Sequence, residues 1–261
     1  MRPNSPAPPA DGPAVNERSV EVPWARQRAG GARWLLDVGC STSDYLADVA
    51  QTELSPEATG PQAECQRRRV YGLDPDAPRP IRNVGIVRGT IVEPPFPPGS
   101  FDLILCISTV EHIGLPIYGQ HEFPHGDIFA MRHVRRLLAP RGRLLLTVPF
   151  GRAQVNPWFR VYDRWGLRRL TAGFRVLSAA FYRLRPEGSP SAGSGYPYEP
   201  CRASDLRQAS YDFDHMRAEG VALAELAPSG PLSFLLARAL TRLSFWFNQL
   251  RAKEKPFLPP S

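Results

Sequence analysis

Two aspartates and one glycine stand where a chain can hold a nucleotide-like ligand. Asp37 closes the apolar run "RWLLDVG", and Asp74 closes "RVYGLD". Gly39 comes two residues after Asp37, and without a Cβ it lets a ligand approach the backbone. A helix opening just beyond it would present unpaired N–H groups to a carboxylate or phosphate. An acid at the second strand end can accept both hydroxyls of a ribose. Further along, Glu111, His112, His121, Glu122, His125 and Asp127 crowd into one stretch. Such a stretch suits proton transfer. It suits a metal poorly, because the "HEFPH" spacing with its proline does not set two ligands on one helical face. No metal is therefore expected.

These residues need rigid elements to position them. "RWLLDVG", "RVYGLD", "VGIVRG", "SFDLILCIS" and "RLLLTVPF" read as five strands, mostly unbroken apolar runs suited to a parallel sheet covered on both faces. "SDYLADVA" starts a helix after the first strand, with Ser43 as the expected N-cap. "DIFAMRHVRRLLAPRG" is an amphipathic helix closed by Pro140 and Gly142. About ten residues, rich in proline, separate the second and third strands, too few for a crossover helix. "YDRWGLRRLTAGF" reads as a helix, and "RVLSAAFYRL" and "VALAELA" as a hairpin around a long excursion from Pro186 to Gly220. Strands alternating with helices predict an α/β, Rossmann-like, doubly wound sheet of seven strands, mostly parallel.

The ends differ in character. Residues 1–21 are rich in proline and alanine and are expected to form a disordered tail without the apolar core of a signal peptide. Residues 22–230 form the expected domain, and 231–261 an apolar helix with arginines. That last helix is too charged to span a bilayer. Packing or homodimerisation is the expected role, with contact to a membrane surface as the alternative. The net charge of +7 raises nucleic acid as a partner. However, only Lys253 and Lys255 are lysines, and the arginines are scattered apart from "QRRR" at Gln66 to Arg69. That skew fits GC-rich coding better than selection for phosphate binding, so nucleic acid is not the expected partner. The four cysteines contain no CxxC pair, as in a reducing, cytoplasmic setting.

"LLDVGCSTS", "VYGLD", "PFPPGSFDLILCISTVEHIG" and "RHVRRLLAPRGRLLLTVPFG" follow one another in the order and spacing of class I S-adenosylmethionine-dependent methyltransferases, which the chain resembles from Arg33 to Gly151. The stretch after the fourth strand also resembles an uncharacterised bacterial methyltransferase-like family. The resemblance implies S-adenosyl-L-methionine as cofactor. It implies that Asp37, Gly39, Cys40 and Ser41 hold its methionine part, and that Asp74 holds the ribose. Thr90 and Ile91 would flank the adenine, and Ile107 and Ser108 would floor the site near the sulfonium. Three features depart from the family: Ser41 and Ser43 replace glycines, Thr90 replaces an acid, and the second crossover helix is missing.

An oxygen acceptor requires a base beside the methyl group. His112 is the nearest candidate, with Glu111 and Asp127 beside it; a structural cap beneath the cofactor is the alternative role for His112. "ISTVEH" lacks the Asn/Asp-Pro-Pro-aromatic run of amino-directed nucleobase enzymes, and Cys106 lies inside an apolar strand. The expected activity is methyl transfer to a small-molecule oxygen, on a glycan precursor or secondary metabolite. The aromatic stretches "PWFRVYDRW" and "GYPYEP" are candidates to cover the acceptor. A non-catalytic interaction module and an RNA methyltransferase are the rival readings.

Overall fold

The computed structural model describes residues 16–43, 45–51, 68–76, 80–117, 122–186 and 197–230. The first half runs α1 (Arg18–Arg28), β1 (Trp34–Val38), α2 (Leu46–Gln51), β2 (Arg69–Asp74), β3 (Val84–Arg88), β4 (Phe101–Ile107), α3 (Gly126–Leu137) and β5 (Leu138–Pro149). The second half runs β6 (Gln154–Val155), β7 (Arg160–Val161), α4 (Arg164–Leu170), β8 (Phe174–Leu184), β9 (Tyr198–Cys201), β10 (Tyr211–Asp212), β11 (Arg217–Ala218) and β12 (Gly220–Pro228).

The main sheet has the order β3-β2-β1-β4-β5-β12-β8-β9. Pairing is parallel from β3 to β5 and antiparallel from there on. From β1 the chain steps outward to β2 and β3, then returns to place β4 on the other side of β1. The strand order therefore reverses between β1 and β4, the point where open α/β sheets bind ligands. Alternate residues of each strand face opposite cores. Leu36, Ile104, Leu144 and Ala222 pack with α3 and α4. Leu35, Leu103, Leu145 and Val221 pack with α1 and α2. Being apolar on both faces is what the unbroken strand sequences require.

Several expectations are corrected here. The sheet has eight strands, the extra one being β9 at the edge, inside the excursion read as loop. Its proline, Pro200, is tolerated because an edge strand leaves one side unpaired. The ordered chain begins before residue 22: residues 18–21 of the expected tail are the first turn of α1. Glu21, Trp24 and Ala25 share one face of that helix and are buried. Ser43 does not cap α2, which starts at Leu46; its side chain is buried, and its carbonyl accepts the Leu46 N–H at 3.0 Å. Helix α3 stops at Leu137, and the "LAPRG" segment already belongs to β5. Gly142 is required there, since a Cβ would lie 2.8 Å from the Phe101 carbonyl oxygen. Within "QRRR", Arg68 is buried and bonds the carbonyls of Ala32 and Val49, a structural use of its charge. The expected C-terminal helix and Cys65 lie outside the described residues.

Candidate active site

A cavity of about 260 Å³ opens at the carboxyl ends of β1 to β5. One half is built from the turns after the first three strands. Gly39, Ser41 and Thr42 follow β1; Asp74 to Asp76 follow β2; Gly89, Thr90 and Ile91 follow β3. Gly39 adopts a left-handed conformation, φ 80° and ψ 46°. A Cβ there would come within 2.6 Å of the Thr109 side chain. Its N–H bonds the Leu73 carbonyl at 2.9 Å, locking the β1 turn to the end of β2. Asp74 is buried, and its two oxygens accept the N–H groups of Ser41 and Asp76 at 3.0 and 2.9 Å. Each oxygen keeps a lone pair for a ligand hydroxyl. Thr90 and Ile91 line the same half, with Thr90 Oγ1 accepting the Val92 N–H at 3.4 Å.

Three expected cofactor residues lie beneath the cavity instead of lining it. Asp37 is buried; its Oδ1 accepts the Tyr45 hydroxyl at 3.1 Å, and its Oδ2 has no hydrogen-bond partner among the described residues. Burial raises its carboxyl to about 6, against hydrogen bonds from Ser43 and Tyr45 that lower it. Cys40 points into the core over Gly72, where a Cβ would sit 2.5 Å from its sulfur. Burial pushes this thiol up to about 12, so it is inert. Ile107 is buried in the core on the α1 side. Cys106 is buried likewise and its thiol is raised by desolvation, so it is no nucleophile.

Ser108 does line the cavity, and it is strained, with φ 44°. Non-glycine residues hold such a conformation only when their surroundings impose it. Here its N–H bonds Thr147 Oγ1 at 3.0 Å and its hydroxyl donates to Glu21 Oε1 at 2.7 Å. Glu21 comes from the first turn of α1, so a residue of the expected tail clamps the end of β4.

The other half of the cavity is lined by Glu17 and Arg18 of the α1 start, Glu111 and His112 after β4, and Phe159 and Tyr211. His112 Nδ1 lies 2.6 Å from the Trp158 carbonyl oxygen. A carbonyl only accepts, so Nδ1 carries the proton and Nε2 is the basic nitrogen. Burial lowers the His112 pKa, keeping the imidazole neutral at physiological pH. Glu111 Oε1 lies 4.0 Å from Nε2, while Oε2 is buried with no hydrogen-bond partner among the described residues. Burial raises the Glu111 carboxyl well above its ordinary range.

Asp127 does not join this group. Its carboxylate accepts the Tyr162 hydroxyl at 3.0 Å and faces Arg160 at 3.8 Å, away from the cavity lining. It is a structural anchor for the start of α3. His125 caps the same helix and contacts Arg169 at 2.7 Å. His121 lies outside the described residues, and among the described residues no three metal-ligating side chains cluster. Of the two aromatic stretches, Phe159 reaches the cavity, whereas Tyr198 is buried elsewhere against the Ala218 carbonyl. Glu17, Arg18, Glu21 and Tyr211 were not among the expected site residues. The spacing of Glu17, Glu21 and Trp24 along one helical face was the available signal.

A family model described as a methyltransferase domain matches residues 18–184. This chain belongs to the S-adenosylmethionine-dependent methyltransferases. Among solved structures, the methyltransferase is similar to the N-methyltransferase NodS from Bradyrhizobium japonicum in complex with S-adenosyl-L-homocysteine. The TM-score is 0.50 at 15% identity, over 85% of this chain and 90% of that one. It is also similar to a Burkholderia thailandensis 1,6-didemethyltoxoflavin-N1-methyltransferase, with a TM-score of 0.49 at 14% identity, over 84% and 80%. At such identities the likeness is one of fold. A search of the curated proteins finds no match. The residues of the methyltransferase fit its methyl donor. Gly39 gives the β1 turn the left-handed form that keeps it along the cavity, Asp74 presents carboxylate lone pairs, and Thr90 and Ile91 line the cavity after β3.

Proposed function

We propose that the methyltransferase acts in the cytoplasm on an oxygen of a small molecule, a secondary metabolite or glycan precursor, with His112 as the base. S-adenosylmethionine supplies an already activated methyl group, so the protein's task is to align the acceptor and take up its proton. The observation that carries this reading is the His112 geometry: Nδ1 is spent on the Trp158 carbonyl, which makes Nε2 the basic nitrogen in a cavity shared with Asp74 and Ser108. A cavity closed on one side by α1 and Phe159 suits a small acceptor better than a polymer.

The test is His112→Ala and His112→Gln, assayed for labelled methyl transfer across an acceptor library and for S-adenosylhomocysteine affinity. Turnover should fall by roughly 100-fold or more, as for loss of a general base, with cofactor affinity unchanged. Parallel loss of both would make His112 a cofactor-floor residue, and no change in either would remove it from the site.

A further inference from the structure

The acceptor half of the cavity has a definite chemistry. Phe159 and Tyr211 stand with ring centroids 4.0 Å apart, and Phe213 extends the aromatic cluster outward, 5.3 Å from Phe159 and half-exposed. Glu17 and Glu111 line the same cavity as the first two rings. Both acids are tied to the aromatic wall. Glu17 Oε2 accepts the N–H of Ala218, the residue paired with Tyr211 in the β10–β11 hairpin. The Glu111 carbonyl accepts from Arg160, next to Phe159. Glu111 is 1% exposed and its Oε2 has no hydrogen-bond partner among the described residues. Burial favours the protonated form of Glu111 and raises Glu17 to about 7, and a cation brought against them would favour their carboxylates instead.

Two cations belong to this region: Arg160, which faces Asp127 at 3.8 Å, and Arg18, which lines the cavity itself. Arg18 donates to Thr42 in the β1 turn at 3.2 Å, and it interacts with Glu21, Tyr45 and Asp37 as well as Glu111. The single Arg18 charge is shared among Asp37, Glu21, Glu17 and Glu111, so the acids of the cavity outnumber it. His112, being neutral, adds no charge there.

Resting on the functional reading above, we propose that the acceptor is a ring-bearing small molecule with a basic nitrogen, whose ring lies on Phe159 and Tyr211 and whose ammonium group is bound by Glu111 and Glu17. Aromatic faces attract such a cation and carboxylates accept its N–H groups, so one subsite satisfies both parts of the ligand. Glu111 and Glu17 act here as specificity-determining residues, separate from the base.

The test uses three probes that share one ring and differ in charge: tyramine, 4-ethylphenol and 4-hydroxyphenylacetate. Each is titrated by calorimetry into protein saturated with S-adenosylhomocysteine; failure of that first saturation would count against the methyltransferase reading, not this one. Tyramine should bind at least about tenfold more tightly than 4-ethylphenol, and the acid most weakly, as expected for one charge-assisted contact in a partly desolvated site. Glu111→Gln and Glu17→Gln should each shrink the advantage of the amine while leaving 4-ethylphenol unaffected. Glu17 is partly exposed, so its variant serves even if Glu111→Gln does not fold. Equal or tighter binding of the neutral or acidic probe would overturn the proposal. So would an amine preference that survives in a folded Gln variant, or no binding of any probe at millimolar concentration.

Discussion

His112 and Gly39 show how single residues set this site. Burial lowers the His112 pKa below its ordinary 6.5, and the base works only when unprotonated. Turnover should therefore be flat from neutral pH upward and fall on acidification, with a midpoint under 6.5. A pH–rate profile checks this, and a midpoint above 7 would contradict it. Gly39 combines a left-handed φ of 80° with a Thr109 contact that no Cβ fits. Gly39→Ala should cost roughly 1–2 kcal/mol from the backbone alone, and it should weaken cofactor binding as Thr109 is displaced. Denaturant unfolding and calorimetry measure the two effects, and a neutral substitution would show that the turn is not pinned. The places of Asp37, Gly39 and Asp74 at the strand ends were readable because strand ends and a lone glycine leave marks in sequence. The burial of Cys40 and Asp37 was not, because it depends on Gly72 of β2 lying under the turn. Asp127 was misread for a similar reason: Tyr162, which fixes it, is distant in sequence.

Among the elements, α1 matters most for function and was the least legible. It clamps Ser108 through Glu21, lines the cavity with Glu17 and Arg18, and anchors itself through Trp24 and Ala25. Its mean composition is polar and it contains Pro23, so periodicity alone does not distinguish it from a tail. Trp24→Ala should destabilise the protein by about 3–5 kcal/mol, the usual cost of emptying a buried aromatic site. It should also lower cofactor affinity, because Glu21 would no longer hold the end of β4. Urea unfolding gives the first number; a loss under about 1 kcal/mol, the level of a surface change, would mean that α1 is not docked as described. The long strands of the main sheet were legible, since runs such as "LILCI" are apolar on both faces. The short edge strand β9 and the β6–β7 and β10–β11 hairpins were not. They are only two to four residues long, and their pairing is set by tertiary contacts.

At the scale of the whole molecule, the strand order reversal between β1 and β4 puts the ends of five strands around one cavity. This topology was predictable from the alternation of strands and helices, and the family match over residues 18–184 agrees with it. The altered turn, with Ser41 and Ser43 in place of glycines, keeps its form because Ser41 offers its N–H to Asp74 and Ser43 offers its N–H to the Cys40 carbonyl. Bound ligand stabilises only the native state, so S-adenosylhomocysteine should raise the melting temperature. The most direct measurement is calorimetric titration of the protein and of Asp74→Ala with S-adenosylhomocysteine. One molecule should bind per chain, and the substitution should cost about 1–3 kcal/mol of binding, as for a ligand hydroxyl left without a charged acceptor. No heat with the unaltered protein at millimolar ligand, or equal affinity in the folded variant, would contradict the account.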